Sequence, residues 1–155
     1  MATFRWTVSL HSEIDVEAEP GRVWQVLTDF AAYPRWNPFI VRADGRAQVG
    51  SRLTLRMQPI GARPVTLRPT VREVVSGRRL CWLGRLGVPG LLDAEHTFTI
   101  DTRDGGSRLT QHERFSGLLA PMLSRSLNHH TLPAFAAMNV ALKEQAEQVA
   151  EPRVA

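Results

Sequence analysis

Trp24-Gln25-Val26-Leu27-Thr28-Asp29-Phe30-Ala31-Ala32-Tyr33-Pro34-Arg35-Trp36-Asn37-Pro38-Phe39 is the stretch whose reading decides the fold of this 155-residue chain. It concentrates two tryptophans, a tyrosine, two phenylalanines and two prolines in a connection with no repeating pattern. A helix starting near Arg22 would turn Val23, Val26, Leu27 and Phe30 toward a core, because these positions recur at three- and four-residue spacing. Pro34 and Pro38 restrict the backbone that follows, and the rings offer large apolar surfaces that fasten it to the rest of the domain. The segment reads as an aromatic-anchored corner or as the entrance of a pocket, and its residue types suit both.

On either side of this corner the pattern is that of strands. Phe4, Trp6, Val8, Leu10, Ser12, Ile14 and Val16 fall on one face, with Arg5, Thr7, Ser9, His11, Glu13, Asp15 and Glu17 on the other. Further strands are predicted at Phe39–Gln48, Arg52–Gln58, Pro64–Ser76, Arg79–Leu86, Ala94–Arg103 and Arg108–Gly117. Ser76-Gly77 and the Asp101–Ser107 segment with its Gly105-Gly106 pair mark tight reversals. Seven strands joined mostly by turns imply an antiparallel sheet. A 12-residue strand rises about 40 Å, more than a flat sheet in a domain of this size holds, so the sheet is expected to curve.

Helical periodicity resumes only near the end. Leu119, Met122, Leu123 and Leu127 form one apolar stripe, and Leu132, Phe135, Met138, Leu142, Gln145 and Val149 form another. Pro133 removes a backbone donor and crowds the preceding turn, which predicts a kink near Asn128–Pro133 or two abutting helices. The last five residues, Glu151 to Ala155, are expected to fray.

The run Trp24, Leu27-Thr28-Asp29-Phe30 and Tyr33-Pro34-Arg35-Trp36-Asn37-Pro38-Phe39 resembles the region after the first strand in START-like (SRPBCC) proteins. This helix-grip superfamily includes polyketide cyclase/dehydrase-type, lipid-transfer and birch-pollen-allergen-like domains. Phe115-Ser116-Gly117-Leu118-Leu119-Ala120-Pro121 and the helical run through Ala137–Lys143 resemble the last strand and long C-terminal helix of the same group. The resemblance implies an α+β helix-grip fold: a curved seven-stranded antiparallel sheet wrapped around a long C-terminal helix, with two short helices after the first strand. It also implies a space between sheet and helix that receives an apolar or amphipathic small molecule. Since enzymes, carriers and receptors share that fold, it does not choose among activities.

Composition sets the bounds. With 43% hydrophobic and 22% charged residues, the chain suits one globular domain, read as residues 1–152, with a sizeable core. No run of about 18 apolar residues could span a membrane and the first residues alternate as a strand does, so a soluble, cytoplasmic protein is expected. Cys81, the only cysteine, sits in the apolar run Leu80-Cys81-Trp82-Leu83 and reads as a packing residue. Between Arg46 and Arg85 lie nine arginines (46, 52, 56, 63, 68, 72, 78, 79 and 85) against one acid, Glu73. Arg52 and Arg56 alternate with Leu53, Leu55 and Met57, and Arg68 and Arg72 with Leu67 and Val71, which places them on a solvated sheet face. No nucleic-acid recognition motif accompanies them, so nucleic acid is not expected as a partner. The sequence leaves a homodimer open.

Chemistry is to be sought where polar residues interrupt apolar strand faces. Ala94, His96, Phe98 and Ile100 share one face, and Leu109, Gln111, Glu113 and Phe115 another. A buried carboxylate must be paired or hydrogen-bonded, so Glu113 is expected to meet His96, an arginine or a ligand hydroxyl. Three roles stay open for His96 and Glu113: a self-satisfied structural pair, acid/base catalysis, or noncatalytic ligand contact. The candidate ligand-binding set is Trp6, Ser12, Trp36, Phe39, Leu55, Leu67, Trp82, Phe98, Gln111, Phe115, His130 and Met138, with Asn128 as an alternative to His130. A rim is expected at Gly84–Leu92, with Leu86, Val88 and Leu91 near Trp36 and Phe39. His129-His130 lacks metal-ligand spacing, and neither a phosphate loop nor a dinucleotide fingerprint is present, so no metal and no cofactor are expected.

Three functions follow as expectations. The first is binding of a hydrophobic or amphipathic small molecule between sheet and helix. The second is a polyketide cyclase/dehydratase-like enzyme using His96 and Glu113, and the third a protein-interaction module with a filled core.

Overall fold

Alternation in the first strand becomes one-sided burial. In β1 (Thr7–Val16) Leu10 and Val16 are buried and Val8, Ser12 and Ile14 half-buried, while Ser9, His11, Glu13 and Asp15 face solvent. These positions come from a computed structural model that describes residues 6–148. Phe4 and Arg5, Val149 of the helical stripe and the expected fraying end lie outside the described residues, as do both ends of the 1–152 domain. The order continues with α1 (Pro20–Thr28), α2 (Tyr33–Trp36), β2 (Ile40–Asp44), β3 (Thr54–Met57), β4 (Val65–Leu67) and β5 (Thr70–Val75). Then come β6 (Arg79–Leu86), β7 (Leu92–Arg103), β8 (Gly106–Ser116), α3 (Ala120–Ser126) and α4 (Leu132–Glu147).

All pairings are antiparallel, in the orders β1-β8-β7-β6-β5 and β2-β3-β4. The expected strand at Pro64–Ser76 is cut in two, β4 and β5, around Arg68-Pro69. Pro69 has no amide proton to give a ladder, and proline in a strand is confined to edges and breaks. Across the cut the two sheets stay joined: Leu53 N–H donates to Pro69 O at 2.8 Å, Val71 N–H to Ser51 O at 2.9 Å, and Arg52 bridges Thr70. The result is one strongly curved surface, bent further by bulges between Ile40 and Arg42 and between Val71 and Glu73.

The C-terminal helix fills the concave side. Phe135, Met138 and Leu142 of α4 are fully buried, with Leu10, Leu80, Phe98 and Leu109 of the sheet in the same core. Each such side chain contributes roughly 1.5–3 kcal/mol on burial. The irregularity expected near Asn128–Pro133 is present, as two helices that run on into each other. α3 and α4 are joined by a widened π-helical turn, Leu127–Thr131, in which Leu132 N–H reaches back to Leu127 O. Widening the turn relieves the clash that a proline ring makes with a carbonyl four residues earlier. At the far end, Arg22 of α1 donates to Gln145 O at 3.1 Å and Ala146 O at 3.4 Å, capping carbonyls at the close of α4. Gly117, at φ +117°, carries the chain from β8 into α3 beneath the β6–β7 loop. A Cβ there would stand 2.6 Å from Leu91 O.

The aromatic segment is an anchored corner. α1 buries Val23, Val26 and Leu27, and the rings of Phe30, Tyr33 and Trp36 stack edge-on at 5.5 and 5.1 Å. Asn37 Oδ1 accepts the amides of Phe39 and Ile40, both at 2.9 Å, which turns the chain into β2. Tyr33 is fully buried and donates its hydroxyl to Leu27 O at 2.5 Å. Burial, with a smaller contribution from Asp29, holds its phenol well above the ordinary tyrosine range. A raised folded-state pKa means stability that is complete below the unfolded value of about 10 and is lost as pH climbs beyond it.

Tyr33 is the only tyrosine, so phenolate absorbance reports on this corner alone. In an alkaline titration the absorbance is expected to stay silent past pH ~10 and to rise only with loss of the circular dichroism signal. Ionisation at the ordinary value in a still-folded chain would count against the burial. Tyr33→Phe leaves the Leu27 carbonyl unmatched and is expected to cost about 1–2 kcal/mol in urea unfolding.

Candidate functional site

Register alone brings the inward polar residues into rows. His96 of β7 lies directly opposite Glu113 of β8, and Gln111 of β8 lies opposite Ser12 of β1. Asn139 reaches the same place from α4. It was missed in the sequence, although its position four residues after Phe135 and three before Leu142 puts it on the buried stripe.

These side chains form a continuous buried chain. Asn139 Nδ2 donates to Ser12 Oγ at 3.0 Å, and Gln111 Nε2 donates to Asn139 Oδ1 at 2.6 Å and to Phe135 O at 3.4 Å. Gln111 Oε1 then faces His96 Nε2 at 3.0 Å, and His96 Nδ1 lies 3.2 Å from Glu113 Oε2. His96 and Gln111 are fully buried, and Glu113 is 5% exposed.

Direction can be read from one end. The Phe135 carbonyl only accepts, so the amide nitrogen of Gln111 points at α4 and its oxygen at the histidine. His96 Nε2 must therefore carry a proton. That leaves Nδ1 facing a carboxyl oxygen at ion-pair distance but off the line of a well-aligned hydrogen bond. The two groups are thus close enough to pair across the strands without making a hydrogen bond in this geometry. Around it the imidazole stacks on Phe98 at 4.4 Å and meets Phe135 and Trp82 at 5.0 and 5.3 Å.

Glu113 is where this chain reaches open space. A cavity of about 210 Å³ lies between sheet and helix, lined by Phe39, Met57, Pro59, Val65, Leu67, Gly84, Arg85, Leu86, Leu92, Ala94, Glu113, Phe115, Leu127 and Thr131. Its walls are apolar apart from Arg85, Thr131 and the buried carboxyl of Glu113. Val65 and Leu86, 43% and 49% exposed, mark its open side.

The candidate residues divide accordingly. Phe39, Leu67, Phe115 and Glu113 line the cavity, and Leu86 stands at its rim. Leu55, Trp82, Phe98, Gln111 and Met138 are instead packed in the solid core behind it, and His96 is sealed behind Glu113. Ser12 is taken up by Asn139. Trp6 is 60% exposed, and Trp36 borders a shallow groove with Arg22, Asp29 and Gln145. Both therefore lie outside the cavity; of the two residues expected beside the rim, Phe39 lines the cavity with Leu86 and Trp36 does not. Helical phase explains another correction. Leu127 and Thr131 face the cavity, while Asn128 donates to Ser124 O and His130 Nδ1 engages Ile60 O at 2.7 Å.

The β6–β7 loop is tied down by Leu118 N–H to Gly90 O at 3.1 Å and Leu119 N–H to Leu91 O at 3.0 Å. Cys81 is buried beside Thr97, burial pushes its thiol up, and it does not border the cavity. Met57, Ala94 and Leu127 were not named as lining residues, although each lies on an apolar face that the alternation or helical stripe marks.

Comparison with known proteins agrees with this architecture. A Mesorhizobium loti protein of solved structure superposes with a TM-score of 0.70 at 17% identity, over 92% of this chain and 99% of its own. The di-domain ARO/CYC protein BexL from the BE-7585A biosynthetic pathway gives 0.74 at 13%, over 93% of this chain and 51% of BexL. This chain thus spans about half of that protein. A Thalictrum norcoclaurine synthase point mutant, solved with a transition-state analogue, gives 0.70 at 15%, over 93% and 96% of the two chains. No curated protein matches with significance. These likenesses show the helix-grip fold. The family model described as polyketide cyclase / dehydrase and lipid transport matches residues 7–149, nearly the whole chain, and the protein belongs to that family.

Proposed function

We propose that the protein binds a small hydrophobic or amphipathic molecule, its apolar body against Phe39, Leu67, Leu92 and Phe115 and its polar end on Glu113. The observation that carries this reading is one buried carboxyl in the wall of an otherwise apolar cavity, the usual make-up of a small-molecule site. At about 210 Å³ the space is smaller than the roughly 300–1,000 Å³ of sites that engulf drug-sized ligands. The ligand is therefore short, or a longer one that projects past Val65 and Leu86. A hydroxyl or amine at its inner end would donate to Glu113.

Acid/base chemistry is the second reading, favoured by the 3.2 Å approach of His96 Nδ1 to Glu113 Oε2. In it Glu113 is the group that touches substrate, and His96, which does not border the cavity, is a positioning residue behind it. ARO/CYC proteins and norcoclaurine synthase among the structural neighbours support asking the question. An interaction module with a wholly filled core is the weaker account, since filling by Trp82, Phe98 and Met138 stops short of the mouth.

Purified protein screened against fatty acids, sterols, aromatic compounds and ketide-like compounds is expected to show a rise in melting temperature with at least one class. Ala94→Phe, which pushes a ring into the cavity, is expected to abolish that rise without lowering the melting temperature of the free protein. If no class binds, or the ligand tolerates Ala94→Phe, the cavity reading fails.

The pairing of His96 with Glu113 has its own test. In Glu113→Gln the new amide can donate to the bare Nδ1 of neutral His96, so stability is expected within about 1 kcal/mol of the parent, or above it. Glu113→Leu leaves Nδ1 unmatched and is expected to cost about 1–3 kcal/mol. Equal stability of the two variants would refute the pairing. Loss of turnover in a stably folded Glu113→Gln, on a substrate found by the screen, would select the enzyme reading.

A further inference from the structure

Exposed apolar side chains are ordinary when scattered, and informative when they collect. Ten large ones stand out among the described residues, and seven of them gather at one end. Val65 and Leu86 line the cavity's open side, and Ile60 follows Pro59, itself a lining residue. Val88 belongs to the loop whose Gly90 and Leu91 carbonyls bond the amides of Leu118 and Leu119. Leu118 and Met122, four residues apart at the start of α3, are 75% and 79% exposed. Trp6 stands beside them, its carbonyl accepting Gly117 N–H at 3.3 Å.

Charge at this end leans positive, its acids being Asp93 beside Arg85 and the buried Glu113 of the cavity wall. Arg63 lies in the β3–β4 loop, Arg85 in the cavity wall and Arg125 on α3. The three segments that surround the mouth, residues 58–64, 87–91 and 117–131, contain no acidic residue. Asp93 lies 3.7 Å from Arg85, and Arg63 and Arg125 have no ion-pair partner among the described residues. An apolar rim with a tryptophan, flanked by uncompensated arginines, is the composition of a surface that rests in the headgroup layer of a negatively charged bilayer. A second copy of the chain would bring the same positive charges face to face.

We propose that this end docks on an anionic lipid surface, Trp6, Val88, Leu118 and Met122 entering the headgroup boundary and Arg63 and Arg125 lying against phosphates. No described helix is long and apolar enough to cross a membrane. Docking rests on the outer surface alone. Its consequence for function rests on the cavity reading: an apolar ligand could pass between bilayer and cavity without crossing water.

Flotation of the protein with phosphatidylcholine vesicles, with and without about a third phosphatidylglycerol, tests this. Binding is expected only to the anionic vesicles, to weaken at high salt, and to bring a blue shift in tryptophan emission that Trp6→Phe removes. Leu118→Asp with Met122→Asp, both at exposed sites, is expected to reduce binding at least tenfold, as is Arg63→Glu with Arg125→Glu. Ligand-induced melting shifts measured in parallel should survive in both variants, so that a failed cavity reading and a failed docking reading are told apart. Absence of flotation, equal flotation of the double variants, or self-association in sedimentation that the aspartates abolish would each overturn the proposal.

Discussion

A buried row of polar side chains crosses the core of this protein, and the core can close only because every member from Ser12 to His96 finds a partner. Ser12, Asn139, Gln111 and His96 come from β1, α4, β8 and β7, so the row ties the C-terminal helix to three neighbouring strands. In an apolar interior an unmatched amide costs more than a matched one gains. The helix is therefore held at one rotation and one height against the sheet. The Phe135 carbonyl orients the row, and the row ends beside a histidine-paired carboxyl, Glu113, at the place where the interior is open. Structural satisfaction and site chemistry are here two ends of the same row.

Where the interior opens is set by two interruptions. Pro69 cuts a strand and lets the three-stranded part of the sheet swing away from the five-stranded part. Pro133 forces a wider helical turn that presents Leu127 and Thr131 to the resulting space. Between them Phe98, Trp82, Phe135 and Met138 fill the middle of the domain, so the cavity is confined to one end. The same end collects the exposed apolar residues of β4, β6, the β6–β7 loop and the start of α3.

Much of the fold was legible in the sequence. Alternation in β1 and β8 survived as one-sided burial, the helix expected from the spacing of Val23, Val26 and Leu27 formed as α1, and the second short helix, α2, is the one the family resemblance implied. The family resemblance rested on that corner, and the family match covers residues 7–149. The inward direction of His96, Gln111 and Glu113 also followed from a period of two. Less legible was the cavity's lining, since only four of the candidates border it. Alternation says which face a residue occupies and nothing of how deep along that face the packing closes, so Leu55, Trp82, Phe98 and Met138 could not be told from Phe39, Leu67 and Phe115.

Local pattern by itself determined the strands, the helices, the inward polar residues and the single-sign loops, because each depends on neighbours within a few positions. Tertiary structure alone decided that Asn139 completes the polar row, that Glu113 and not His96 meets open space, and that Trp6, Leu118 and Met122 share one end. Those facts depend on strand register and on the rotation of a helix more than a hundred residues from β1, and no short stretch of chain encodes such a distance.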